Sequence, residues 1–413
     1  MKKILALLLA LCMVFALAAC GEPAPAASDA PEGGDAQVSD APEGGDTTGD
    51  KVIKIGVFEP QSGDNGAGGK QEILGMQYAN SLTPTVEVGG ETYTVELVYA
   101  DNQSSNDKAV SAAQTLIAEG CSVVLGSYGS GVSIAAATTF GDAGVPAIGV
   151  TCTNPQVTEG NDYYFRICFL DPFQGTVLAN YAVEQLGATK AYLLGELGNE
   201  YDNGLMNYFE EAFTALGGTV TKDNFPTNNS DFTSYLNKAQ SEGADVIFCP
   251  VSIAYSTQIV ALAKDMGLTT TILGSDTLDN NTVLEAAQGS SVDLRVSTFY
   301  ADGANPEFDA GFKEWINSDP NNLTNNGGND NIAAVSVMGY DAYYVALEAI
   351  KAAGSTNPVD IQAALWDVQY EGITGNISFD DVNGDAVRDT AFIKIADTEN
   401  NTWVSGGSQQ VAA

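Results

Sequence analysis

The chain has 413 residues, 44% hydrophobic and 17% charged, which is enough for two ordinary domains and too apolar for a disordered polymer. Lys and Arg number 16 against 53 Asp and Glu, and a net charge of -37 repels phosphate backbones and anionic membrane surfaces, so nucleic acid is excluded as a partner. Histidine is absent, which removes Ser-His-Asp and Cys-His catalysis and every zinc site built on imidazole.

Residues 1–20 read as a targeting segment. Lys2 and Lys3 precede an apolar run from Ile4 to Ala19, shorter than the ~20 residues of a spanning helix. The run stops at Leu17-Ala18-Ala19-Cys20, which resembles a bacterial lipobox, where cleavage precedes the cysteine and its thiol carries lipid. Residues 21–50 are Pro, Ala, Gly, Ser and acid, with SDAPEGGD occurring twice, and read as a disordered acidic tether. Beyond Cys12 and Cys20 the cysteines are Cys121, Cys152, Cys168 and Cys249, spaced too irregularly for a metal motif and leaving a disulfide open.

From Lys51 strand and helix alternate. VIKIGVF (52–58) runs into a Gly-rich loop and a helix over 71–82 with Ile73, Leu74, Tyr78 and Leu82 on one face. YTVELVY (93–99) follows, then a helix from Asp107 with Val110, Ala113, Leu116 and Ile117 inward, the strand SVVLG (122–126), a small-residue helix and the strand VPAIG (145–149). This predicts a doubly wound parallel sheet. After YYFRICF (163–169) a second set begins with KAYLLGE (190–196) and a helix from Asn203 striped by Leu205, Phe209, Phe213 and Leu216. It continues through a strand near Val220, ADVIFCP (244–250) and TTTILG (269–274). The remaining chain, with helices at 308–316 and 332–353 and an Asn-Gly hairpin turn in FDDVNGD (379–385), is too short for a third domain and must complete the other two.

GDNGAGGK (63–70) lies between strand and helix but is no phosphate loop, since Asp64 stands where the first Gly belongs and Gln71 where Ser or Thr would follow the GK pair. FDDVNGD lacks the closing Glu of a calcium loop. No metal or cofactor is expected. The informative residues are polar groups at strand ends. Ser127 and Ser130 follow SVVLG, and Thr151, Cys152 and Thr153 follow VPAIG, where helix N-termini and unpaired N–H groups suit a carboxylate. Capping accounts for such Ser and Thr equally well. Ser275 and Asp276 occupy the same kind of place in the second set, where Asp either caps a helix or holds a cation.

Several stretches, in order, are similar to the leucine/isoleucine/valine-binding proteins of ABC importers, within the type I periplasmic binding proteins. They include PQSG (60–63), SVVLGSYGSGVS (122–133), VPAIGVTCTNPQVT (145–158), FRICFLDPFQG (165–175), ILGSD (272–276), GYDAYYVALEAIKAAGS (339–355) and ISFDDVNGD (377–385). The resemblance implies two doubly wound α/β lobes joined by a three-crossover hinge, with 51–172 plus 299–375 as one lobe and 173–298 plus 376–413 as the other. By position it assigns Ser130, Thr151 and Thr153 to the amino-acid carboxylate, with backbone N–H groups around Cys152, Asp276 to the α-ammonium, and Tyr201 to a cleft aromatic. The family's first-loop aromatic falls at Gly68 and its second-lobe tyrosine at Ser252, with Tyr128 or Tyr255 placed to refill the space.

The resulting expectation is a monomeric extracytoplasmic lipoprotein, anchored to the cell membrane through Cys20 alone. It would deliver a hydrophobic amino acid to the permease subunits of an ABC importer, without catalysis. Ligand sensing, or an aromatic amino acid, amide or urea as ligand, are the alternatives. A hydrolase would need carboxylate or lysine chemistry, for which no paired motif is present.

Overall fold

In the computed structural model, which describes residues 51–410, two twisted sheets carry the molecule. The first half runs β1 (Val52–Glu59), α1 (Gly66–Leu82), β2 (Thr85–Val88), β3 (Glu91–Asp101), α2 (Asn106–Ala118), β4 (Val123–Leu125), α3 (Ser130–Ala143), β5 (Ala147–Gly149) and β6 (Tyr164–Arg166). Its sheet has the order β2-β3-β1-β4-β5-β6, all parallel except the β2 edge. The second half runs α4 (Asp171–Glu184), β7 (Lys190–Glu196), α5 (Glu200–Ala215), β8 (Thr219–Phe225), α6 (Thr233–Ser241), β9 (Val246–Phe248), α7 (Ile253–Met266), β10 (Thr271–Gly274), α8 (Asn281–Ala287) and β11 (Leu294–Thr298).

The rest of the chain serves both. Helices α9 (Pro306–Ser318), α10 (Pro320–Asn325), α11 (Ala334–Ala353) and α12 (Pro358–Leu365) precede the hairpin β12 (Gln369–Gly372) and β13 (Gly375–Ser378), and β14 (Thr390–Asp397) and β15 (Thr402–Gln410) finish the described chain. The second sheet is ordered β15-β14-β11-β10-β9-β7-β8, with β14 and β15 antiparallel to their neighbours. Helix α11, by contrast, packs on α1: Ser336 Oγ donates to the Gln71 carbonyl at 2.7 Å, and a Cβ on Gly75 would overlap the Ser336 carbonyl oxygen. Only glycine lets these two backbones approach so closely.

The strands read as unbroken apolar runs because helices cover both faces of a parallel sheet; Val123–Leu125, Ala147–Gly149 and Val246–Phe248 are buried throughout. Asn supplies several helix N-caps: Asn199 accepts the N–H groups of Tyr201 and Asp202, and Asn305 and Asn357 do the same for α9 and α12. Some expectations shift. The β2 edge strand was not anticipated, since its alternating TVEV is short and polar. Val110 and Leu216, expected inward, are exposed, as is Leu82 at the end of α1. The polar C-terminal segment forms β15, sustained by pairing with β14 rather than by its composition. Gly375 and Asn376, on either side of the expected lobe boundary, both lie in the β12–β13 hairpin, and Asp385 beyond it bridges to Arg166 of β6. Phe379 and Ala386 pair across the FDDVNGD turn, with Gly384 at φ 72°.

Among the described residues no helix is long and apolar enough to cross a membrane. Cys121, Cys152, Cys168 and Cys249 are buried and unpaired. Residues 1–50, with the targeting segment, Cys20 and the tether, lie outside the described residues.

Candidate functional site

In each sheet the strand order reverses beside the first strand of its half, between β1 and β4 in one and between β7 and β9 in the other. A crevice opens beyond the carboxyl ends of strands at such a point. Both crevices contribute to one cavity of about 260 Å³. Its wall comes from the segments after β1 (Asp64, Asn65), after β4 (Tyr128 to Val132), after β5 (Thr151), after β7 (Glu196 to Asp202), after β9 (Ser252) and after β10 (Thr277).

Of the residues singled out from sequence, Ser130, Thr151, Tyr128, Tyr201 and Ser252 meet on this wall. Ser130 is the first residue of α3, and its Oγ accepts the Asn154 N–H at 3.2 Å, which leaves its own proton free to donate. Thr151 is committed differently. Its hydroxyl donates to Glu72, so its oxygen offers lone pairs and suits an incoming N–H donor better than a carboxylate. Tyr201 donates its hydroxyl to Asp276 Oδ1 at 2.7 Å, and Gln174 Nε2 donates to the same oxygen at 2.7 Å. The Tyr128 ring lies where a Cβ on Gly68 would run into it, so of the two tyrosines it is Tyr128 that occupies the space beside Gly68. Its hydroxyl reaches the Thr277 carbonyl at 3.3 Å and links the two crevices. Tyr255 instead packs against Phe225 in the core of the second sheet, with its hydroxyl on Glu196.

Three expected site residues stand off the wall. Asp276, in the short 3-10 turn after β10, is 2% exposed and sits beside the wall residues Thr277 and Tyr201. Burial pushes its carboxyl up to about 6, against the hydrogen bonds from Tyr201 and Gln174. Among the described residues no Lys or Arg pairs with it. Thr153 is buried, and its carbonyl accepts the Asp171 N–H at 3.0 Å. Cys152 turns its side chain into an apolar cluster with Phe58, Phe140 and Tyr164, and burial pushes its thiol up to about 11. The Cys152 thiol therefore faces the core and not the cavity, and the cavity is left with at most the backbone of this position. Ser127, one of the strand-end hydroxyls, accepts from Asn102 Nδ2 at 2.9 Å and holds its own loop.

Behind Thr151 lies a pair that sequence reading missed. Glu59 ends β1 and Glu72 sits on the inner face of α1, both fully buried. Burial and the neighbouring Glu72 drive Glu59 well above the usual carboxylate range, while burial pushes Glu72 up to about 7 against hydrogen bonds from Glu59 and Thr151. Among the described residues Glu59 Oε1 and Glu72 Oε2 find no donor, and burial together with the closeness of the two charges favours a protonated carboxyl in the pair. Glu59 Oε2 takes the Tyr128 N–H at 2.8 Å, which ties the β4 loop to the pair. Glu59 stands at a strand end of the kind that drew attention to Ser130 and Asp276, and that position was the available signal.

The loop after β5 is held from the other side by Arg166. Its guanidinium donates to the carbonyls of Cys152 and Asn154 at 2.9 and 2.5 Å, to Thr158 Oγ1 at 3.0 Å and to Asp385 Oδ1 at 2.7 Å. A buried base thus serves the scaffold, and among the described residues no Lys or Arg lines the cavity wall.

Residues 52–400 match the model of the family described as periplasmic binding protein. A Leu/Ile/Val-binding protein homolog of Brucella suis is 25% identical over 342 residues, covering 80% of this chain and 86% of that one. A leucine binding protein of Thermotoga maritima, solved by crystallography, superposes with a TM-score of 0.78 at 31% identity, covering 87% of this chain and 99% of the other. The branched-chain amino acid substrate-binding protein of Streptococcus pneumoniae, solved with isoleucine, gives 0.75 at 26% identity, covering 87% and 99%. These proteins bind solutes and are not named as enzymes. The family match, the two sheets with facing crevices and the strand-end site together place this chain in the periplasmic binding protein family, in its type I form, with the leucine-, isoleucine- and valine-binding proteins among its relatives.

Proposed function

We propose that the chain is an extracytoplasmic solute-binding lipoprotein that captures an α-amino acid and hands it to the permease of an ABC importer. The observation that carries this reading is Asp276: a buried carboxylate with two neutral hydrogen-bond donors and no cation, beside a wall bearing the free Ser130 hydroxyl and the Thr151 lone pairs. An α-ammonium directed at Asp276 and Thr151 and an α-carboxylate at Ser130 would both be matched in a site drier than water. The relatives' names support a hydrophobic, branched-chain amino acid, although these α-subsites would serve any amino acid.

Two lobes would close on the ligand, one formed by 51–172 and 299–386 and the other by 173–298 and the C-terminal strands, with the last crossing placed after Ala386. The protein would act as a monomer, with lipid on Cys20 and the 21–50 tether holding it at the membrane. Stripping the purified protein of co-purified solute and titrating it calorimetrically with the amino acids and their deaminated acids tests the reading. Saturable binding that needs the amine supports it, and a native ligand without an amine overturns it. Cys20→Ala should move the protein from the membrane fraction to the medium or leave its precursor uncleaved; unchanged membrane retention would refute the anchor.

A further inference from the structure

The cavity wall is acidic where a branched side chain would need carbon. Asp64, Glu196, Glu200 and Asp202 line it, and among the described residues no Lys or Arg does and the aliphatic contribution is limited to Pro60, Val132 and Leu197. Packing an aliphatic side chain against carboxylates removes water from them and returns nothing. Two wall groups are already dry and unsatisfied. Asp202 is 1% exposed, and while its Oδ2 takes the Glu196 N–H at 2.8 Å, its Oδ1 has no partner among the described residues; the buried Ser252 Oγ has none there either.

Glu196 is aimed rather than loose. Its Oε1 accepts from the Tyr255 hydroxyl and its Oε2 from Asn199 Nδ2, both at 3.3 Å, and Tyr255 is fixed in turn by the Asn228 N–H at 2.9 Å and by the Phe225 ring. The acids also burden one another. Burial and then Glu196 raise Asp64, and burial drives Asp202 well above the carboxylate range, with Glu196 adding to it. A cation arriving with the ligand would relieve all of them together.

We propose that the ligand is an α-amino acid whose side chain ends in a cation, of the lysine, ornithine or arginine class. Asp276 receives its α-ammonium, and the group Glu196, Asp64 and Asp202 receives its side-chain charge. This assignment rests on the amino-acid reading above and departs from the branched-chain ligands in the relatives' names.

The test is calorimetric titration of the solute-free protein with L-lysine, L-ornithine, L-arginine, L-leucine, L-isoleucine and L-norleucine, the last keeping much of the lysine stem without its charge. A basic amino acid should bind roughly tenfold or more tighter than leucine and norleucine. Glu196→Gln should weaken that ligand by roughly tenfold, while leucine, which loses only an unfavourable neighbour, should not bind more weakly. Asp64→Asn, on an exposed loop where folding is not at stake, should weaken it in the same direction. Tightest binding of leucine, isoleucine or another uncharged amino acid, or a basic ligand indifferent to both substitutions, overturns the cationic assignment and leaves the amino-acid reading standing. If no amino acid binds, both fail.

Discussion

At the scale of single residues the site works through carboxylates kept from water. Asp276 has neutral donors only, so Asp276→Asn preserves shape and removes the charge an ammonium would meet. A loss of about 1.5–3 kcal/mol is expected, roughly ten- to a hundredfold in amino-acid affinity. Calorimetry on wild type and variant measures it, and equal affinities would exclude Asp276 from ammonium binding. The same burial links stability to pH. Glu72 and Asp171 are pushed up to about 7 and Asp276 to about 6, all chiefly by burial. In the unfolded chain these groups ionise near the ordinary carboxylate range, so across the interval from there to about 7 the folded state holds more protons. The ligand-free protein should be most stable at the acid end of that window and lose stability as pH rises through it. Glu72→Gln should flatten the decline in a series of thermal melts; a Tm that climbs with pH in the ligand-free wild type would contradict the assignment.

Elements meet here through small residues and buried polar pins. The crossing of α1 and α11 depends on Gly75, where a methyl group would overlap the Ser336 carbonyl. Gly75→Ala raises helix propensity yet should destabilise the fold by about 1–3 kcal/mol, because overpacking outweighs the gain. Urea unfolding would show a lower midpoint with an unchanged slope, and a stabilised variant would mean that the helices are free to move apart. Since Glu72 lies on the same helix one turn earlier, a shifted α1 would also disturb the buried Glu59 and Glu72 carboxyls beneath Thr151.

For the whole molecule, the crevices face each other and touch at several points. Asn65 Oδ1 accepts the Ile253 N–H at 3.1 Å, the Asp64 carbonyl accepts the Ala254 N–H at 3.0 Å, and Asn154 Nδ2 donates to the Glu200 carbonyl at 3.1 Å. These contacts at the mouth are polar and exchangeable for water, so they do not by themselves lock the crevices shut. The radius of gyration from X-ray scattering should therefore be larger in the solute-free protein and shrink on addition of the ligand. A scattering curve that does not change on saturation would rule out closure as the binding motion.

Local chemistry made much of this protein legible in its sequence. Unbroken apolar strands between amphipathic helices specify a doubly wound architecture, because a parallel sheet must be covered on both faces. Polar residues just past strand ends marked Ser130, Thr151 and Asp276, since that is where backbone donors go unpaired. Long-range packing decided the rest. Whether Cys152 faced ligand or core depended on Phe58, Phe140 and Tyr164 closing around it from three other segments. The polar residues 402–410 became a strand only because β14 offered them an edge. Glu59 and Glu72 are thirteen positions apart and on different elements, and Glu196 gains its aim from Tyr255 across the second sheet. Burial and partnership of a charge belong to its three-dimensional surroundings, and no periodicity along the chain encodes them.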